Sequence, residues 1–131
     1  MKSRIITAPQ IILSYGLNDL QIKKLDDITS KTDVKHKIVG ACDAGQKIGF
    51  LCGLKGFERI ESSEGAASDE QCLVFSGIQR KSIDSLLKEL RDKEISVPLK
   101  AMVTPSNRSW SLTQLIAELK REHETLTGRK N

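Results

Sequence analysis

The sequence predicts an α/β fold: three layers, with a largely parallel four-stranded sheet between helices. Three observations carry this. Four short apolar runs, each closed by Gly, Pro or a polar turn, read as buried strands. Each is followed by a segment with a capping residue and apolar side chains at helical spacing. The two halves of the chain share this strand, helix, strand, helix rhythm without a residue-level repeat. At 131 residues the chain has the length of one ordinary domain, enough to bury roughly two-thirds of its unfolded surface without metals or disulfides. The expected organisation is a single domain of two βαβα halves, 1–56 and 71–127, joined by an exposed connection near 57–70.

The elements follow in order. Gln10-Ile11-Ile12-Leu13-Ser14-Tyr15, closed by Gly16, is the first strand. Asn18 then caps a helix, because its side chain can accept from the backbone three residues on while Gln21 reaches back, and Leu17 and Ile22 have the spacing of a hydrophobic staple. Ile22, Leu25 and Ile28 form its buried stripe, and it ends near Lys31. His36 to Ala41 is the second strand, and Asp43 with Gln46 repeats the capping-box spacing before a helix over Ala44–Leu54. Gly45, Gly49 and Gly53 each cost about 1 kcal/mol relative to Ala inside a helix. They fall four apart, however, and give it a smooth face. A strand over Lys47–Cys52 is the competing reading, since Phe50 breaks the helical stripe.

Ser62 to Glu70 has no apolar period and reads as an exposed connection. Cys72 to Gly77 is the third strand. Ser82 caps a helix whose Ile83, Leu86, Leu87 and Leu90 sit at i, i+3, i+4 and i+7. Pro98 admits a fourth strand, Leu99–Val103, and Pro105 stops it. The last helix begins at Ser111, with Gln114 completing a third capping pair and Leu112, Leu115, Ile116 and Leu119 facing inward.

Strand-helix alternation of this kind implies right-handed parallel crossovers in a Rossmann-like or flavodoxin-like plan, with strand order 2-1-3-4. The strand-to-helix loops then collect at one edge, where open parallel sheets bind ligands. The crevice falls between the first and third strands, beneath Tyr15, Gly16, Gly77 and Gln79.

At that edge, Thr104, Ser106, Asn107, Arg108 and Ser111 precede a helix N-terminus, whose backbone donors and partial positive charge favour an anion. Arg108 offers a bidentate fork, and Tyr15 and Gln79 flank the site. The competing reading is structural: Pro105 and Asn107 shape a turn, Ser111 caps the helix and Trp110 fills a gap. No Gly-x-x-x-x-Gly-Lys-Ser/Thr or Gly-x-Gly-x-x-Gly is present, which argues against a nucleotide-dependent enzyme of either familiar kind. No cofactor is implied.

Cys42, Cys52 and Cys72 are odd in number and widely spaced, unlike a disulfide framework or a thiolate zinc site. A reactive Cys42, or Asp43 as an acid-base group, would give an enzyme, but no partner for either is identifiable, so catalysis is disfavoured. His123 among glutamates lacks the second histidine of a metal motif. The charge of +4, from 21 basic and 17 acidic residues, is spread along the chain, and five aromatics are too few for a nucleic-acid platform. No apolar run could span a bilayer and no signal-like segment opens the chain, so a cytoplasmic location is expected.

From Cys72 onward, Leu73-Val74-Phe75-Ser76-Gly77, the Ile83 to Leu90 helix, Pro98 to Thr104, Asn107, Trp110, Leu115 and the Glu118 to Glu122 run resemble a small bacterial family carried only as a domain of unknown function. The resemblance covers residues 72–123 and implies no activity, ligand or catalytic residue. The expected function is a binding or regulatory module that captures a small anion or nucleotide-like ligand at the sheet edge. The alternative is a protein interaction module, with Gly45, Gly49 and Gly53 as a candidate homodimer seam and a purely structural polar loop.

Overall fold

In the computed structural model, residues 10–60 and 70–127 are described. The connection expected over 62–70 lies outside them except for Glu70. The elements are β1 (Ile11–Tyr15), α1 (Asp19–Thr29), β2 (Lys35–Val39), a 3-10 turn (Ala41–Asp43), α2 (Ile48–Leu51), β3 (Cys72–Ser76), α3 (Arg80–Asp92), β4 (Leu99–Met102) and α4 (Leu112–Thr127).

The sheet order is β2-β1-β3-β4, as the sequence predicts. β1 pairs with β2 in parallel and β3 with β4 in parallel, but the central pair, β1 with β3, is antiparallel, with Leu13 opposite Val74. This corrects the expectation of a single binding edge. The βαβ units β1-α1-β2 and β3-α3-β4 run in opposite directions, so the C-terminal ends of β1 and β2 lie at one end of the sheet and those of β3 and β4 at the other.

Alternation along the strands divides the core into two faces. Ile11, Leu13, Tyr15, Val74 and Leu99 pack with Ile48 and Leu51 of α2 and with Leu112, Leu115 and Ile116 of α4. Ile12, Leu73 and Phe75 pack with Leu25 and Ile28 of α1 and with Ile83, Leu86 and Leu90 of α3. β1 and β3 are buried along their whole length, as expected of central strands with helices on both faces.

Asn18 and Gln21 form the complete capping box at α1. Of the other three predicted starts, Ser111 does accept from Gln114 N at the head of α4, and two differ. The helix expected over Ala44–Leu54 shrinks to the single turn of α2, and the strand alternative for Lys47–Cys52 is also absent. Gln46 does not cap; it is buried, and its amide donates to Ile60 O at 2.8 Å and accepts from Ile60 N at 2.6 Å. Asp43 pairs instead with Arg59 at 2.9 Å. Gly49 does not share a smooth helical face with Gly45 and Gly53: a Cβ there would stand 2.5 Å from Phe57 Cε2, so its bare surface seats an aromatic ring of the same chain. α3 begins two residues before the predicted Ser82 cap, with Gln79 at the N-cap and no side-chain bond to the helix.

Candidate functional site

The antiparallel centre separates the residues expected to share one crevice. Tyr15 ends β1 opposite Cys72, the first residue of β3, whereas Gln79 and Thr104 follow the ends of β3 and β4. Tyr15 and Gly16 therefore stand at one end of the sheet, and Gln79 and the 104–111 loop at the other. The crevice beneath Tyr15, Gly16, Gly77 and Gln79 does not form, because it needs β1 and β3 to point the same way.

The 104–111 loop is built from its own hydrogen bonds. Asn107 is buried, its Oδ1 accepts from Thr104 N at 2.9 Å, and its Nδ2 donates to Met102 O at 3.1 Å. Thr104 Oγ1 accepts from Asn107 N at 3.2 Å. The carbonyls of Arg108 and Trp110 accept from Gly49 N and Ile48 N, both at 2.8 Å, so the loop caps α2. The N-terminus of α4 is also occupied. Leu112 N donates to Gln46 O, Thr113 N to Ala44 O, and Gln114 N to the Ser111 hydroxyl at 3.0 Å. With those donors engaged, the helix terminus has none to present to an anion. Ser106 and the Arg108 side chain are exposed beside it.

The start of α3 differs in this respect. Gln79 supplies no side-chain cap, and among the described residues no hydrogen bond uses the N–H of Arg80, Lys81 or Ser82. Of these, Lys81 and Ser82 border an open groove of about 1080 Å³ between α3 and the α1–β2 connection. Ile28, Val34 and Leu86 supply apolar lining, Lys31 and Lys81 positive charge, and Gln79, Ser82 and Ser85 neutral hydrogen-bonding groups. Asp33 and Glu89 also line it, so the electropositive part lies toward Lys81 and the helix start. Of the predicted site residues only Gln79 lies in this groove.

Residues 71–126 match the family model of a domain of unknown function, DUF3783. No curated protein and no solved structure matches the chain. The DUF3783-like segment spans β3, α3, β4 and nearly all of α4, and it supplies Gly77, Gln79, Lys81, Ser82, Ser85, Leu86 and Glu89 of the groove. The opposite wall, Gln10, Ile28 and Lys31 to Val34, comes from outside it.

A second polar constellation joins three elements. Ser14 Oγ lies 2.6 Å from His36 Nε2, and His36 Nδ1 lies 2.6 Å from Asp26 Oδ1. The connectivity is that of a serine hydrolase relay. Ser14, however, has no exposed surface, and the His36 side chain is only 2% exposed. A nucleophile must reach its substrate, so this relay acts as a polar rivet that satisfies a serine and a histidine between β1, β2 and α1. The clue in the sequence is Ser14 itself, a hydroxyl inside an apolar strand that requires a partner when buried.

Two of the three thiols, Cys52 and Cys72, are buried. Burial pushes Cys72 up to about 12 and also raises Cys52, opposed there by a hydrogen bond with Ser76 and by the charge of Lys37. Cys42 is exposed. Burial lowers the Lys100 ammonium below its ordinary range, against the effect of neighbouring Cys72, and its Nζ donates to Val97 O at 2.6 Å. His123 is exposed on α4. Among the described residues no three His, Cys, Asp or Glu side chains gather as for a metal ion, and no helix is long and apolar enough to cross a membrane.

Proposed function

We propose that the protein is a binding or regulatory module that takes a small organic anion, a nucleotide or phosphorylated metabolite in size, in the groove between α3 and the α1–β2 connection. The observation that carries this reading is the composite lining. An apolar floor of Ile28, Val34 and Leu86 suits a ring or carbon skeleton, while Lys31, Lys81 and the unengaged N–H groups at the start of α3 suit its charged end. The ligand class is the one expected from the sequence, but the position is not a shared C-terminal edge: the groove follows the end of β3 and precedes the starts of β1 and β2. The residues are different, since the donors around the 104–111 loop are already engaged.

A thermal-shift titration with inorganic phosphate, AMP and glucose 6-phosphate tests the reading, using the intact chain beside Lys81→Ala and Arg108→Ala. At a hundred times its dissociation constant a ligand adds about 2.7 kcal/mol of stability, several degrees in the midpoint of a domain this size. The expected result is a shift that Lys81→Ala abolishes and Arg108→Ala preserves. The reverse pattern would return the site to the loop. No shift with any of the three would refute anion capture for those ligands.

A further inference from the structure

β2 has one strand neighbour, β1, and among the described residues nothing pairs with its other side. Lys35 N donates to Gln10 O at 2.9 Å, toward β1. Ladder groups alternate in direction, so His36 and Ile38 direct their N–H and C=O groups to the open side. Lys35 and Lys37 are exposed on one face of this edge and make no ion pair among the described residues. Lys37 and Arg59 both lie 6.0 Å from the centre of the Phe50 ring, which holds further positive charge on that face. On the other face Ile38 is 55% exposed, although it lies inside a strand.

An exposed edge of this kind is a template for strand addition, and lysines on it serve in part to discourage the wrong partner. Here they exclude a specific one. Full-length antiparallel pairing of β2 with a second copy centres on Lys37 and sets two ammonium groups opposite each other, which is destabilising. In a strand where acidic and apolar residues alternate, acidic residues two apart stand against Lys35 and Lys37, and the apolar residue just beyond the one facing Lys37, on the other face, meets Ile38.

We infer that β2 is a docking edge for an extended segment of a partner protein in which acidic and apolar residues alternate. The partner adds a strand to the sheet through the main chain of His36 and Ile38, pairs its carboxylates with Lys35 and Lys37, and covers Ile38. This surface is separate from the α3 groove, and neither reading depends on the other.

The test uses three labelled, end-blocked peptides: an alternating Glu-Val peptide, its Lys-Val counterpart, and a Glu-Pro peptide with the same charge but without the N–H groups a ladder needs. Fluorescence anisotropy against the intact chain is expected to show binding of the Glu-Val peptide alone. A Lys35→Glu, Lys37→Glu variant, folded because both positions are exposed, should weaken it by about tenfold or more, since two favourable cross-strand pairs become unfavourable. Amide exchange at His36 and Ile38 should slow on binding. Equal affinity for the Glu-Pro peptide would reduce the effect to charge attraction and overturn strand addition. Absence of binding by the Glu-Val peptide, or a dimer in sedimentation equilibrium that the peptide fails to dissociate, would overturn the proposal outright.

Discussion

Replacing Asn107 should separate a structural role from a ligand-binding one. In Asn107→Ala, Thr104 N–H loses its 2.9 Å acceptor and Met102 C=O its 3.1 Å donor. Two neutral hydrogen bonds contribute about 1 kcal/mol each, and a polar group left unsatisfied in a buried setting costs about 1–3 kcal/mol. Thr104 and Met102 are partly open to solvent, so water can recover some of the second term, and the total should be about 2–3 kcal/mol. Asn107→Asp sharpens the test. Its carboxylate still accepts from Thr104 N–H but turns an oxygen toward Met102 O, where the amide donated. Protonation restores a donor, so the deficit of the Asp variant should shrink as pH falls through the carboxyl range, while that of the Ala variant should not. The assay is urea denaturation of the three proteins at several pH values, with unchanged m-values confirming a common unfolding reaction. A loss below about 0.5 kcal/mol for Asn107→Ala, within the range of ordinary surface changes, would refute the reasoning. So would full stability accompanied by loss of anion binding, which would make Asn107 a ligand contact.

Two further predictions rest on independent features. Gly49→Ala places a Cβ 2.5 Å from Phe57 Cε2 and 2.7 Å from Cγ, which should cost about 1–3 kcal/mol as overpacking. A double-mutant cycle with Phe57→Ala should relieve most of it, and strictly additive effects would show that the ring is not the obstacle. Cys72 should make the fold alkali-sensitive. Its folded value, about 12, stands above the ordinary 9.0, so its contribution is present below pH 9 and is lost as pH rises toward 12, with a limiting slope of about 1.4 kcal/mol per pH unit. Denaturation midpoints between pH 9 and 11 should therefore fall less steeply in Cys72→Ala than in the parent, although the variant is less stable at neutral pH; parallel curves would contradict this.

Local chain chemistry makes several elements legible in the sequence alone. Asn18 and Gln21 three residues apart announce the capping box of α1, and Ile83, Leu86 and Leu90 announce the buried stripe of α3. Such signals need only near neighbours, so they can be read without tertiary information. The apolar runs at Ile11–Tyr15 and Cys72–Ser76 likewise mark two buried strands, and the structure places them at the centre of the order 2-1-3-4.

Long-range packing decided the rest. β1 and β3 are buried on both faces, and a strand of that kind carries no alternation that records whether its neighbour runs with it or against it. That one undetermined sign moved Tyr15 to the far end of the sheet from Gln79 and the 104–111 loop. Gln46 and Asn107 carry the residue types of caps and ligand contacts, yet burial turned both to holding loops in place. The Ser14–His36–Asp26 rivet draws on three elements separated in sequence, and the α3 groove on both halves of the chain. By itself the sequence determined most of the helices and strands, because those choices are made within a few residues, but not the stretch 44–54, whose single turn is set by long-range contacts. Strand polarity, and with it the residues that share a surface, was decided only when distant segments packed and buried their faces together.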